Sequence, residues 1–318
     1  MRCHKIQKLV TKKIIVTTIN FRKSFLLKCI VNVGLRKTSH MKKIYFAFLL
    51  TAFFVIGKAQ VNLPAASPTE TISQEFGMGK IDLVYSRPSI KGRTVFAEGS
   101  DLAPLGKLWR TGANAATRLT FSDFVNIGNK DLDSGAYVLY TIPGKTEWEI
   151  IINKGVTNWG TGNYTESQDV VHLKVPVVHL QNSFETFTMQ FTNIKSESCD
   201  LNLMWANTMV TIPIVTHIKD RLRTQIENQL AAGKTPYQEA ATFYYEWDKD
   251  YAKALANVNK GIELNKDAFW LYLLKANIQK SSGDKAGAKQ SAEQCIQVAT
   301  AQKNDEYAKR AQDLIKTL

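Results

Sequence analysis

No aspartate or glutamate occurs before Glu70. Thirteen of the 41 Lys and Arg fall before Gln60, so the formal charge of +13 belongs to the start of the chain. From Gln60 onward 28 basic residues face 28 acidic ones, and the balance is neutral. The basic composition therefore gives no support to a nucleic-acid partner. Histidine is scarce, with His172, His179 and His217 the three that follow Gln60. None lies near a GxSxG elbow or a suggestively placed cysteine, so the pairing of base and nucleophile that covalent catalysis needs is not visible. His172 alternates outward on its strand and reads as part of a solvated face. Of four cysteines, Cys199 and Cys295 follow the leader; they fall in different predicted domains and read as free core thiols. No CxxC, HExxH, EF-hand spacing or metal-ligand cluster is present, and Gly160-Thr161-Gly162 lacks the third glycine and following helix of a dinucleotide loop. No metal or cofactor is expected. Glu147, Glu149, Glu166 and Asp169 sit on or near hairpins, which leaves paired-carboxylate glycoside hydrolysis open.

What is present begins with "MKKIYFAFLLTAFFVIGKAQ". Lys42 and Lys43 form a positive n-region, Ile44 to Ile56 an apolar run, and Gly57 and Ala59 the small residues of a cleavage site before Gln60. This is the secretory signal pattern, over 41–59, and the run is short of the ~20 apolar residues a membrane span needs. The mature chain is expected to be exported, periplasmic or secreted, with no stable membrane span after cleavage. Residues 1–40 are basic, lack a useful period, and read as an extension upstream of a true start at Met41. An unusually long n-region is the rival.

Two architectures follow. From Thr71 to Ile214 the hydrophobic period is near two, and from His217 onward near 3.6. "KIDLVYS" puts Ile81, Leu83 and Tyr85 on one face; "ATRLTFSD" puts Leu119 and Phe121 opposite Arg118 and Thr120. "AYVLYTIPGKTEWEIIINK" is a hairpin turning at Pro143-Gly144-Lys145. "VVHLKVPVV", "FTMQF", "LNLMW" and "MVTIPIV" complete the set, with Pro213 suggesting an edge strand. Short strands without intervening helices predict an antiparallel β-sandwich or barrel over 65–215. The chain is thus α+β in two domains, the second all-α over 217–318. There "DYAKALANVNKGIELN" from Asp250 and "DKAGAKQSAEQCIQVA" from Asp284 align at a step of 34, matching Ala254 with Ala288, Gly261 with Cys295 and Leu264 with Val298. That period resembles the tetratricopeptide repeat, with repeats over about 235–268 and 269–302 and a closing helix after them. Thr235 is placed to cap the first helix with Pro236 in its first turn. A helix over 218–232, stopped by Gly233, caps or bridges the other end. Such repeats present a concave surface to a protein or peptide partner, and Tyr244, Tyr245, Tyr272 and Lys275 are candidates for it.

Two polar clusters stand beside strands. "YSRPSIKGRTVF" carries Tyr85, Arg87 and Arg93; "LWRTGANAATRLTF" carries Trp109, Arg110, Thr111 and Asn114. Folded together at one rim, the guanidiniums would grip a carboxylate, sulfate or phosphate, the aromatics would stack on a sugar or apolar ring, and Thr111 and Asn114 would orient it. The competing reading has the arginines paired with Glu98, Asp101 or backbone carbonyls to pin a long loop, and Trp109 plugging the core. Trp159 and Tyr164, in "NKGVTNWGTGNYTESQD", form a secondary rim.

These segments, with "PLGKLWRTGANAATRLTF", "LDSGAYVLYTIPGKTEWEIIINK" and "NWGTGNYTESQDVVHLKV", resemble in order the DUF2911 domain family, exported bacterial proteins common among Bacteroidetes. The resemblance covers about 65–215 and implies no chemistry, since the family is uncharacterised; tetratricopeptide-like tails occur in it. Function is therefore read from the residues. The chain is expected to be a non-catalytic binding or interaction protein holding a small anionic or carbohydrate-like ligand at its Arg-Trp rim and a partner on its helices. A cell-envelope hydrolase of glycan or peptide, and a purely structural envelope scaffold, are the alternatives.

Overall fold

The structure, a computed structural model, describes residues 63–318. The extension expected over 1–40 and the signal segment expected over 41–59 lie outside the described residues. Pro64–Leu318 form one unit, in which ten strands precede six helices.

Strands β1 (Thr69–Phe76), β2 (Gly79–Ser86), β3 (Thr117–Phe121), β6 (Gly135–Ile142), β7 (Glu147–Asn153) and β8 (Asp169–Pro176) form a six-stranded antiparallel sheet in the order β1-β2-β3-β6-β7-β8. A second sheet, in the order β5-β4-β10-β9, contains β4 (Val125–Ile127), β5 (Lys130–Leu132), β9 (Val178–Thr192) and β10 (Ser198–Val215). The period-two pattern decides which side chains meet between the sheets. Ile81, Leu83, Leu119, Phe121, Leu139, Ile150, Ile152 and Val171 from the first join Phe187, Met189, Leu201, Leu203 and Trp205 from the second in one core. Cys199 is buried there and Cys295 is buried among the helices, both free.

The β2–β3 connection explains why a tryptophan cluster stands before a strand. Leaving β2, the chain bridges Ser89 to Thr186 of β9 in the second sheet, then returns to pair Trp109 with Thr141 of β6 in the first. Trp109 is thereby carried between the sheets. Its ring stacks on Trp205 at 5.8 Å and meets Phe187 at 5.0 Å and Trp148 at 6.1 Å, edge-on to the latter two. Such aromatic pairs add to the burial that stabilises a core.

Pro213 lies on an inner strand rather than an edge one, since β10 is flanked by β9 and β4. The ladder tolerates it because the last β9 pair is at Met209 and the β4 pair is at Val215. The missing N–H falls between the two ladders.

The helices are α1 (Lys219–Ala231), α2 (Tyr237–Phe243, continued by a π-turn over Tyr244–Asp248), α3 (Tyr251–Leu264), α4 (Phe269–Ser281), α5 (Lys285–Ala301) and α6 (Asp305–Ile315). From α2 onward each packs on its neighbour in sequence, and α4 also touches α6. Asp250 and Asp284 cap α3 and α5 identically, each accepting from the backbone N–H three residues on. Gly261 lets α3 approach its neighbours, because a Cβ there would lie 3.0 Å from Leu271 and 3.6 Å from Tyr237. Leu264, by contrast, is exposed, so its alignment with Val298 marks no shared buried position. The Thr235 cap is not formed: α2 starts at Tyr237 with Pro236 in the cap position and no side-chain cap. Gly233, at φ +73°, ends α1 as expected.

Helix α1 ties strands to helices. Glu197 Oε1 accepts from the backbone N–H groups of Ile218 and Lys219 at 2.7 and 3.1 Å, satisfying donors that a helix start leaves open. One turn on, Arg223 forks onto Asp248 at 3.1 and 2.7 Å. That guanidinium holds the Asp248 carboxyl below its usual range, with Lys219 adding to the effect.

Candidate functional site

Arg87 and Arg93 are both held by scaffold partners, none of which Arg110 shares. Arg87 is spent on the scaffold: Nε donates to the Phe187 carbonyl at 3.1 Å, Nη2 to Thr188 Oγ1 at 2.8 Å, and Nη1 pairs with Glu70 at 3.2 Å. It therefore clips β9 of one sheet to β1 of the other. Tyr85 is buried and donates to the same Glu70 carboxylate, while the Met189 N–H donates to its hydroxyl. Burial, reinforced by the Glu70 contact, raises the Tyr85 pKa above its ordinary value. Arg93 folds back on its own turn, donating to the Ile90 and Ser89 carbonyls at 3.0 and 2.7 Å. The partners of Arg87 and Arg93 are thus backbone carbonyls, the Thr188 hydroxyl and Glu70, not Glu98 or Asp101.

In the second cluster Trp109 is 3% exposed and Thr111 is fully buried, donating to Thr141 Oγ1. Trp109 Nε1 donates to the Gly112 carbonyl at 3.1 Å. Asn114 is exposed with φ +60°, and its amide reaches Ser67 O and Ser86 Oγ at 3.3 Å each. Tyr85, Trp109 and Thr111 are therefore core and lattice rather than a ligand rim, because strand parity and the Trp109–Thr141 bridge turn them inward.

Arg110 is the exception. The residue after an inward Trp109 turns to the other side of the six-stranded sheet, and there it meets the secondary rim. Its Nη1 lies beside Gly160, where an added Cβ would come within 3.2 Å. Its Nε is buried with no hydrogen-bond partner among the described residues. Gly160 O accepts from Tyr140 OH, which in turn accepts from Asn158 Nδ2 at 3.1 Å. Tyr164 packs edge-on against Tyr140 at 5.2 Å. Trp159, between Asn158 and Gly160, is 68% exposed. Arg110 thus stands beside the loop that carries Trp159 and Tyr164.

The same face holds an array that side-chain alternation alone does not reveal. His172 Nδ1 lies 2.6 Å from Glu149 Oε1, and Nε2 lies 2.9 Å from Asp169 Oδ2. Asp169, only 4% exposed at its side chain, also accepts from Tyr164 OH and from Asn153 Nδ2. Asn153 reaches on to the Thr165 carbonyl and the Gly155 N–H. The Glu149 contact raises the His172 pKa, with Asp169 adding and partial burial opposing. Burial and Asp169 together push the Tyr164 hydroxyl well above its ordinary value. A signal existed: Glu149 and His172 are both outward by parity, and Glu149 pairs with Lys174 while Ile151 pairs with His172, which makes the two diagonal neighbours. Reading it needed the register of the two strands.

Among the described residues no group of three or more His, Cys, Asp or Glu is placed to hold a metal ion, and no helix is long and apolar enough to cross a membrane. The helical candidates are mixed. Tyr244 is buried, Tyr245 OH meets Ser281 Oγ at 3.1 Å, and Tyr272 OH donates to the Lys266 carbonyl. No curated protein matches the chain. Residues 67–214, the strand-built part, match the model of the family described as "Protein of unknown function (DUF2911)".

Proposed function

We propose that the chain is an exported, non-catalytic binding protein that takes a small anionic or carbohydrate-like ligand on the outer face of its six-stranded sheet. Arg110 supplies the cation and the 156–164 loop supplies the aromatic surface. The observation that supports the reading is Arg110 itself: its side chain has no hydrogen-bond or ion-pair partner among the described residues, and its Nη1 lies beside Gly160 in the loop that exposes Trp159. An unspent guanidinium suits a carboxylate, sulfate or phosphate, and an exposed indole suits the apolar face of a sugar. Arg87 and Arg93 hold the scaffold in this reading, since their donors are already used.

The helical part is read as tetratricopeptide-like and as a surface for a protein or peptide. Supporting this are the 34-residue step between the Asp250 and Asp284 caps and a groove of about 770 Å³ between α1 and α2, walled by Leu222, Ile226, Phe243 and Trp247.

The test is a panel of glycans and small anions against the full chain. Saturable binding is expected, lost in Arg110→Ala and weakened in Trp159→Ala at unchanged melting temperature. Binding untouched by both substitutions would overturn the reading. The envelope-hydrolase alternative draws on the Glu149–His172–Asp169 array, a set of proton-transfer groups on one face. It predicts turnover of a bound glycan that disappears in His172→Gln. Silence in both assays leaves the structural scaffold.

A further inference from the structure

Three tryptophans pack together between the sheets, and two of them donate: Trp109 Nε1 to Gly112 O and Trp205 Nε1 to Glu185 O at 3.2 Å. The third, Trp148, is 1% exposed, and its Nε1 has no hydrogen-bond partner among the described residues. Orphaned buried donors are uncommon, and each asks for an explanation. Trp148 also walls a cavity. This cavity of about 400 Å³ opens at the end of the sandwich where four segments converge: the β2–β3 connection, the β6–β7 turn with the start of β7, the β8–β9 junction, and the middle of β10. Its volume falls at the small end of the ~300–1,000 Å³ usual for small-molecule sites.

The backbone around it is unusual. Phe96 and Ala206, both in its lining, have φ +53° and +49°. Ala206 sits where the β9–β10 register shifts on both sides. Bulky or β-strand residues rarely adopt this left-handed conformation, and such positions concentrate at ligand sites. Bulges likewise re-aim side chains beside sites. Both irregularities turn toward one cavity.

The lining has a consistent chemistry. Phe96, Trp148, Val95 and Leu105 form an apolar wall, while Lys145, His179, Asn207 and Thr208 are polar. No carboxylate lines the cavity, and Lys145 makes no ion pair among the described residues. An apolar wall beside polar side chains and a cation that makes no ion pair suits an acid held by its head and its body at once.

We propose that this cavity binds a small organic acid, its apolar body against Phe96 and Trp148 and its carboxylate toward Lys145. The site is separate from the Arg110 face and does not depend on the function proposed there.

The experiment is titration of the full chain, ¹⁵N-labelled, with sodium benzoate and sodium hexanoate, reading the Trp148 indole N–H resonance. Benzyl alcohol serves as the neutral control. Saturable movement of that resonance is expected with at least one acid below about 10 mM, near the range where affinity amounts to only a few kcal/mol. Lys145→Gln, in an exposed turn, should weaken it at least tenfold, and Thr208→Tyr, which narrows the cavity, should abolish it. Arg110→Ala should leave it unchanged. No shift with either acid, an undiminished affinity in Lys145→Gln, or benzyl alcohol binding as tightly as benzoate would overturn the proposal.

Discussion

Both carboxylate oxygens of Asp123 accept from Nη1 of Arg221, at 2.9 and 2.8 Å, across 98 residues of chain. The same guanidinium stands over the Phe124 ring at 5.5 Å. This contact and the Glu197 cap hold α1 to the strands. The Arg221 pair is partly exposed and is worth under about 1 kcal/mol. The Glu197 cap answers two helix-start N–H groups, so Glu197→Ala should cost about 1 kcal/mol, while Glu197→Gln, which keeps an acceptor, should cost less. Urea unfolding of Arg221→Ala, Glu197→Ala and Glu197→Gln checks the order.

Stability should depend on pH through His172. Its folded pKa is raised above 6.5, chiefly by Glu149. A proton held more tightly in the folded state stabilises it at pH values below about 6.5, the unfolded value, and that contribution is lost as pH rises through the folded value. Melting temperature should therefore fall as pH rises across that window, and His172→Gln should flatten the profile. NMR titration of the ring protons locates the folded value directly.

Arg87 and Arg110 should behave oppositely. Arg87→Ala removes donors to Phe187 O, Thr188 and Glu70 and should cost about 1–3 kcal/mol. Arg110→Ala removes a buried Nε that has no partner, and a change within about 0.5 kcal/mol is expected. Denaturant midpoints of the two variants compare them.

The buried tryptophans should differ too. Trp109→Phe strips the Gly112 carbonyl of its indole donor, whereas Trp148→Phe removes no hydrogen bond. Beyond the packing loss common to both, Trp109→Phe should cost about 1–3 kcal/mol more, read from the same denaturant midpoints.

Gly112 should tolerate no side chain. Its φ is +146°, and a Cβ would sit 2.8 Å from the Ser86 carbonyl oxygen. Gly112→Ala is expected to cost over about 2 kcal/mol, visible as a lowered melting temperature.

Much of the fold was legible because side-chain alternation is a local property. The inward set Ile81, Leu83, Tyr85, Leu119, Phe121, Phe187 and Met189 is buried as the period-two reading expects. The caps at Asp250 and Asp284 and the stop at Gly233 are likewise written within a few residues of where they act. The candidate rim was less legible. Arg87, Arg93 and Arg110 lie close in sequence, but a guanidinium's partners are chosen by the strands that arrive beside it, and β9 arrives about a hundred residues later.

The sequence by itself determined the change from strands to helices near residue 217, the inward parity of each strand and the spacing of the helix caps, because backbone geometry repeats over two or 3.6 residues wherever the chain goes. Tertiary structure alone decided that Arg110 joins the Trp159 loop, that Glu149 and Asp169 close on His172, and that Trp148 is left without an acceptor beside a cavity. Each of these depends on strand register and on where loops cross, which are set by the packing of segments distant in sequence and carry no local period to read.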